Sequence, residues 1–148
     1  MTPELIEQRR DVMRICADAR AGELAAALDA LSPLPDASDF RTPESGLVML
    51  RGRMGGDGRA FNFGEATVTR AAVRIDTGEV GHAYQLGRDR AKARVAAILD
   101  ALVQSGKANE VVAALAPASR RIAEERALVR RQTAATRVDF FTMTRGED

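Results

Sequence analysis

The sequence predicts an α+β domain: an N-terminal helical hairpin, an antiparallel meander of three to four strands, two C-terminal helices and a final strand or extended docking segment. Three observations carry that prediction. Apolar residues recur at helical spacing on both sides of the middle of the chain, they alternate with polar or small residues between 65 and 86, and glycine-containing turns separate the alternating stretches. With 148 residues, 45% hydrophobic and 29% charged, the chain has the size and balance of one globular domain spanning residues 1–148. Aromatic residues make up only 4% and Trp is absent, so the core is expected to be built from small and aliphatic side chains.

The elements follow in order. Leu5, Ile6, Val12, Met13, Ile15 and Cys16 trace one helical stripe, with Thr2 as N-cap and Pro3 at the first helical position. Gly22 interrupts it, and Leu24, Leu28 and Leu31 continue a second helix up to Pro33 and Pro35, giving a hairpin. Residues 32–45 read as a connecting loop, with a short edge strand around Asp39 to Arg41. Leu47 to Arg51 is a strand that ends at Gly55-Gly56-Asp57-Gly58. In the next strand, Thr67, Thr69, Val73 and Ile75 fall on one side and Arg70 and Arg74 on the other. Asp76-Thr77-Gly78 signals a hairpin turn, after which Val80, His82, Tyr84 and Leu86 alternate with small or polar residues and are expected to form the apolar face. Ala91, Val95, Ile98, Leu99, Leu102 and Val103 form a helical stripe that Gly106 closes, a helix expected to cover one face of the sheet. A second helical region starts near Asn109, is disturbed at Pro117, and resumes through Ile122, Val129 and Thr133. So many arginines surround its second part that it is expected to face solvent or a partner, with Arg121 pairing with Glu125. The tail places Phe140, Phe141 and Met143 beside Arg145, which predicts a segment docked on its own sheet or on a partner.

Composition excludes several functions. A net charge of +1, from 22 basic and 21 acidic residues, generates no field that would steer the chain to nucleic acid or membrane. No apolar run reaches the ~18 residues of a membrane span, and the start lacks the basic flank of a leader, so the expectation is a protein neither secreted nor membrane-spanning. The single cysteine, Cys16, excludes an internal disulfide, a multi-cysteine zinc site and an iron–sulfur cluster held by this chain alone; a cytoplasmic location fits.

The chemistry-bearing residues are sparse. Gly55-Gly56-Asp57-Gly58 lacks the Lys and Ser or Thr of a phosphate-binding P-loop and reads as a turn. His82, the only histidine, reads as a hydrogen-bonded core residue, and Cys16 as buried packing. No acid/base dyad or nucleophile with an activator is visible, so no catalytic residue and no metal site are assigned. Arginine is left as the functional side chain, since Lys occurs only at Lys92 and Lys107 and the guanidinium fork suits carboxylate or phosphate. Arg53, Arg70 and Arg74 are candidates for an anion- or partner-binding patch, or else for a merely solvated sheet face. Arg88, next to Asp89 at the start of a helix, is a fourth candidate, with capping by Asp89 as the alternative use of that position.

Arg53-Met54-Gly55-Gly56 with Gly58 and Phe61, the block from Glu65 to Arg74, and the block from Arg137 to Gly146 stand in an order and spacing similar to the PhnG family, as do Gly87-Arg88-Asp89 and Asp100-Ala101-Leu102. The chain therefore resembles the G subunit of the bacterial carbon–phosphorus lyase core complex. The resemblance implies that it acts with the H, I and L subunits to transfer methylphosphonate to the ribose C1 of MgATP. Adenine is released and a ribose 1-methylphosphonate 5-triphosphate is formed. It further implies a core complex with the H, I and J subunits, with I as the main contact and carrier of the nucleosidase-like chemistry, and J, with an iron–sulfur cluster, as the later carbon–phosphorus cleaving chain. The G chain would bind no cofactor itself, MgATP being a co-substrate of the complex, and it would be inactive alone. Phe140, Phe141, Met143 and Arg145 become partner-docking candidates. A freestanding arginine-based phosphate- or nucleotide-binding module and a structural adaptor without substrate contact are the alternatives.

Overall fold

The structure, a computed structural model, describes residues 2–55 and 57–136. Helix α1 (Pro3–Asp18) starts where predicted, with the Thr2 hydroxyl accepting from the Leu5 amide at 3.3 Å. It breaks at Ala19 and Arg20 rather than at Gly22, which lies inside α2 (Ala21–Ala30). Both helices pack on two later ones, α3 (Arg90–Leu102) and α4 (Ala108–Ala135).

In chain order, the helix pairs flank a three-stranded antiparallel sheet of order β1-β2-β3, formed by β1 (Ala37–Arg53), β2 (Ala60–Ile75) and β3 (Val80–Leu86). The architecture is α+β, and the described residues contain no fourth strand. Strand β1 absorbs most of the stretch predicted as a loop. It does so as an edge strand with register shifts between Asp39 and Arg41 and between Arg41 and Glu44, irregularities that accommodate Phe40 and Pro43. An edge strand tolerates a proline because one row of its amides has no neighbour to serve.

Strand β3 inverts the predicted phase. Gly81, Ala83 and Gln85 are buried while His82, Tyr84 and Leu86 are exposed. The cause is the close approach of α3: a Cβ on Gly81 would lie 1.9 Å from the Ala97 carbonyl oxygen and 2.5 Å from the Ala101 amide nitrogen. Small residues must face the helix, so the bulky ones face away. The expectation that His82 sits in the core is thereby overturned.

Helix α3 is the centre of the molecule. It covers β2 and β3, with α1, α2 and α4 packed behind it, and everything from Ala96 to Val103 is buried. A helix buried on all sides needs any polar group on it satisfied. Asp100, 1% exposed, meets that need by accepting two 2.8 Å bonds from Arg9, the His82 amide at 2.8 Å and the Gln104 side chain at 3.2 Å, so one carboxylate ties α1, β3 and α3 together. The chain leaves α3 through a widened turn, Val103–Lys107, in which Gly106 takes φ +91°. Helix α4 then runs unbroken through Pro117, whose exposed position leaves the forfeited carbonyl of Ala113 open to water. Its buried face ends at Ile122; beyond that, Leu128 and Val129 are exposed. The tail segment expected to dock, with Phe140, Phe141, Met143 and Arg145, lies outside the described residues.

Candidate functional site

Strand β2 sets the candidate surface. Thr69, Ala71, Val73 and Ile75 point into the core, so Arg70 and Arg74 emerge on the sheet face opposite α3, about 13 Å apart at ~3.3 Å per residue. Glu44 stands across from Arg70 on β1 and Tyr84 across from it on β3. Arg70 Nε donates to Glu44 Oε1 at 2.6 Å, and Arg41 Nη1 donates to the same oxygen at 3.2 Å. The Glu44 bond, followed by Tyr84, pushes the Arg70 pKa above its ordinary value. Arg74 instead lies over the Phe40 ring, 4.7 Å from its centroid. The outer face thus gathers Arg41, Arg70 and Arg74 with the rings of Phe40 and Tyr84; Glu44 is shared by two of the guanidiniums, and Asp36 and Asp76 line a hollow with Arg74.

A shallow cleft of about 190 Å³ lies beside Arg70, bounded by Glu44, Val48, Val68 and Tyr84. Ligand-enclosing pockets begin at roughly 300 Å³. The cleft is thus too small to enclose a nucleoside triphosphate by itself, and the face is suited to contacting an anion or side chain held mainly by something else.

The structure does not bring Arg53 into this patch. Arg53 pairs with Ala60 while Arg70 pairs with Glu44, so Arg53 sits about 30 Å along the ribbon from Arg70 at ~3.3 Å per residue. A hairpin turn tight against Arg53 and Ala60 fixes that register. Near the turn, Arg53 Nη1 donates to the Gly58 carbonyl at 3.3 Å. Arg88 is separate again. It follows Gly87, at φ +91°, and precedes Asp89, whose carboxylate caps α3 by accepting from the Lys92 amide at 2.8 Å. The capping use of Asp89 is therefore realised, with Arg88 exposed beside it. Thr69 holds the same corner: its hydroxyl donates to the Gly87 carbonyl at 2.7 Å and so accepts from Ser45 at 2.9 Å.

On the helical side several acids and bases pair across elements. Arg121 binds both Glu23 oxygens, at 2.6 and 2.7 Å, and this pairing with the Arg20 amide bond holds the Glu23 carboxyl down to about 2. The open groove between α1 and α4 is lined by Asp18 and Glu125, each ion-paired to arginines: Asp18 to Arg126, and Glu125 to Arg20 and Arg121. Cys16 is fully buried, and desolvation pushes its thiol up to about 12. Among the described residues no group of three or more His, Cys, Asp or Glu converges as metal ligands would. Sequence reasoning missed Asp100 and Glu44; the signal for the first was an acid inside the apolar run Ala96 to Val103, and for the second there was none short of the strand register.

Comparison with known proteins decides the family. The profile described as "Phosphonate metabolism protein PhnG" matches residues 7–146. This chain belongs to the PhnG family. A relative from Rhizobium meliloti (strain 1021), the "Alpha-D-ribose 1-methylphosphonate 5-triphosphate synthase subunit PhnG", is 55% identical over 145 residues, covering 97% of this chain and 92% of the relative. The match thus runs through α1, α2 and residues 32–44, outside the blocks that carried the resemblance, as well as through the glycine turn, β2 and α3.

Proposed function

We propose that this chain is the G subunit of an α-D-ribose 1-methylphosphonate 5-triphosphate synthase, and hence one subunit of an enzyme of phosphonate breakdown. The observation that carries the reading is the 55% identity with a subunit of that name over nearly the full length of both chains. The chain works with H, I and L subunits in the transfer of methylphosphonate to the ribose of MgATP and belongs to a core complex with H, I and J. It holds no cofactor of its own and acts in the cytoplasm. Its contribution is surface rather than chemistry. The arginine and aromatic face around Arg70 and Arg74, with Arg88 at the α3 corner, pairs with carboxylates of the I subunit or with phosphate groups of the reactants. The segment carrying Phe140, Phe141, Met143 and Arg145 docks on a partner.

The test is co-expression with the H, I and J chains, sizing of the product, and an assay of adenine release from MgATP plus methylphosphonate with L added. The reading predicts a stable assembly whose Arg70→Ala variant either loses a partner or shows a raised KM for MgATP or methylphosphonate. Assembly and kinetics unchanged on removing both Arg70 and Arg74 would leave the face as mere solvated surface. Efficient turnover by the isolated chain would overturn the reading of an inactive subunit.

A further inference from the structure

We propose that the β1–β2 arm, residues 46–53 and 60–67, inserts into an apolar cleft of a partner protein whose rim carries carboxylates. The inference rests on the subunit reading above and adds the element by which the chain engages its partner.

Strand β3 pairs with β2 only between Val68 and Arg74, and the buried residues of β2 all lie from Thr69 onward. The first two strands continue past Val68 as a bare two-stranded ribbon reaching Arg53 and Ala60, about 25 Å at ~3.3 Å per residue. Such a ribbon is marginal in water on its own. Yet it carries the densest set of exposed large apolar side chains in the described residues, including Leu47 (62%), Met49 (59%), Phe61 (45%) and Phe63 (59%). The two rings meet edge to face at 6.2 Å, and Phe63 lies over Gly52, where an added Cβ would come within 3.1 Å of it.

Register distributes these groups over both sides of the ribbon. Leu47 and Met49 share one face with Thr67 and Glu65, while Val48 lies with Ala66 on the other. A flat partner buries one face only; apolar groups on both faces call for walls on both sides. The charge at the far end selects the rim. Arg51, Arg53 and Arg59 form no ion pair among the described residues, as is also true of Arg88 and Arg120 in the body, but these three are gathered at one end of the ribbon. The strands of the arm offer Glu65 as their one carboxylate. Three guanidiniums against the one carboxylate of the turn, Asp57, leave an excess of positive charge at the end of an apolar ribbon, which matches carboxylates at the mouth of an apolar cleft. A second copy brings the same excess of arginines, so the tips repel each other.

The test uses the full chain co-expressed with the H, I and J subunits. Two variants, F61T with F63T and R51E with R53E, should keep the wild-type circular dichroism and melting temperature when isolated, because they alter exposed groups. Each should weaken assembly by about tenfold or more, as loss of anchor residues does. In parallel, the amides of the arm should exchange far more slowly in the wild-type complex than in the isolated wild-type chain, a readout independent of any variant. If the wild type assembles while both variants assemble with equal affinity and arm exchange is unchanged, the arm inference is wrong and the subunit reading stands. A variant effect confined to self-association of the isolated chain would also overturn it, assigning the arm to a second copy. If the wild-type chain itself fails to assemble, the subunit reading falls and this inference with it.

Discussion

Gly81→Ala is the perturbation that most sharply tests how the sheet is held against α3. The new Cβ would stand 1.9 Å from the Ala97 carbonyl oxygen and 2.5 Å from the Ala101 amide nitrogen, both main-chain atoms of a fully buried helix. An ordinary contact needs more than about 3 Å, so β3 and α3 must part by about 1 Å or more. No side chain can swing aside to absorb that displacement. Overpacking of a core costs about 1–3 kcal/mol, and a clash with two main-chain atoms of one helix belongs at the upper end, about 3 kcal/mol. For a domain near 150 residues each kcal/mol lowers Tm by about 2–4 °C, which predicts a drop of about 6–12 °C. Thermal melts followed by circular dichroism, with urea unfolding for the free energy, would measure it. A Tm within about 2 °C of wild type would refute the claim that this glycine sets the spacing of the two layers and the phase of β3.

Three further outcomes follow from the same geometry. Cys16 should resist alkylation in the native chain from pH 7 to 9, because burial raises its thiol to about 12, and react only on unfolding; prompt stoichiometric labelling would contradict its place in the core. Glu23, held near 2 by Arg121 against an ordinary value of 4.5, contributes stability that is fully present above about pH 4.5 and is lost as the pH falls from there towards 2. Wild type should therefore lose more stability than Glu23→Gln over that window in urea titrations, and parallel curves would refute the pairing. Arg70→Ala should leave the Tm of the isolated chain within about 2 °C, since exposed ion pairs such as Arg70–Glu44 contribute little to stability. A larger fall would make that face structural instead of functional.

Most elements were legible because their signals are local. The Thr2–Pro3 start of α1, the Asp89 start of α3 and the turn before β3 all depend on neighbouring residues, and the described structure has them in place. The phase of β3 was not legible. Val80, His82, Tyr84 and Leu86 form the more apolar alternate set, but the inward face was decided by how closely α3 approaches, a distance no strand pattern contains. The same limit explains the arginines. That Arg70 and Arg74 share a face follows from period two, whereas the separation of Arg53 follows from register, which the turn at residues 54–59 fixes. Pro43 and Pro117 misled for a related reason. Proline forbids a hydrogen bond, and an edge strand with shifted register and an exposed helix face each had one to spare.

The central claim, that this chain is a required subunit of the synthase, is tested most directly by omission and add-back. H, I and L subunits would be assayed for adenine release from MgATP and methylphosphonate without the chain, with it, and beside the chain alone. The account predicts release only in the complete mixture, rising with added chain until it is stoichiometric with the I subunit. Undiminished release without the chain, or release by the chain alone, would contradict it.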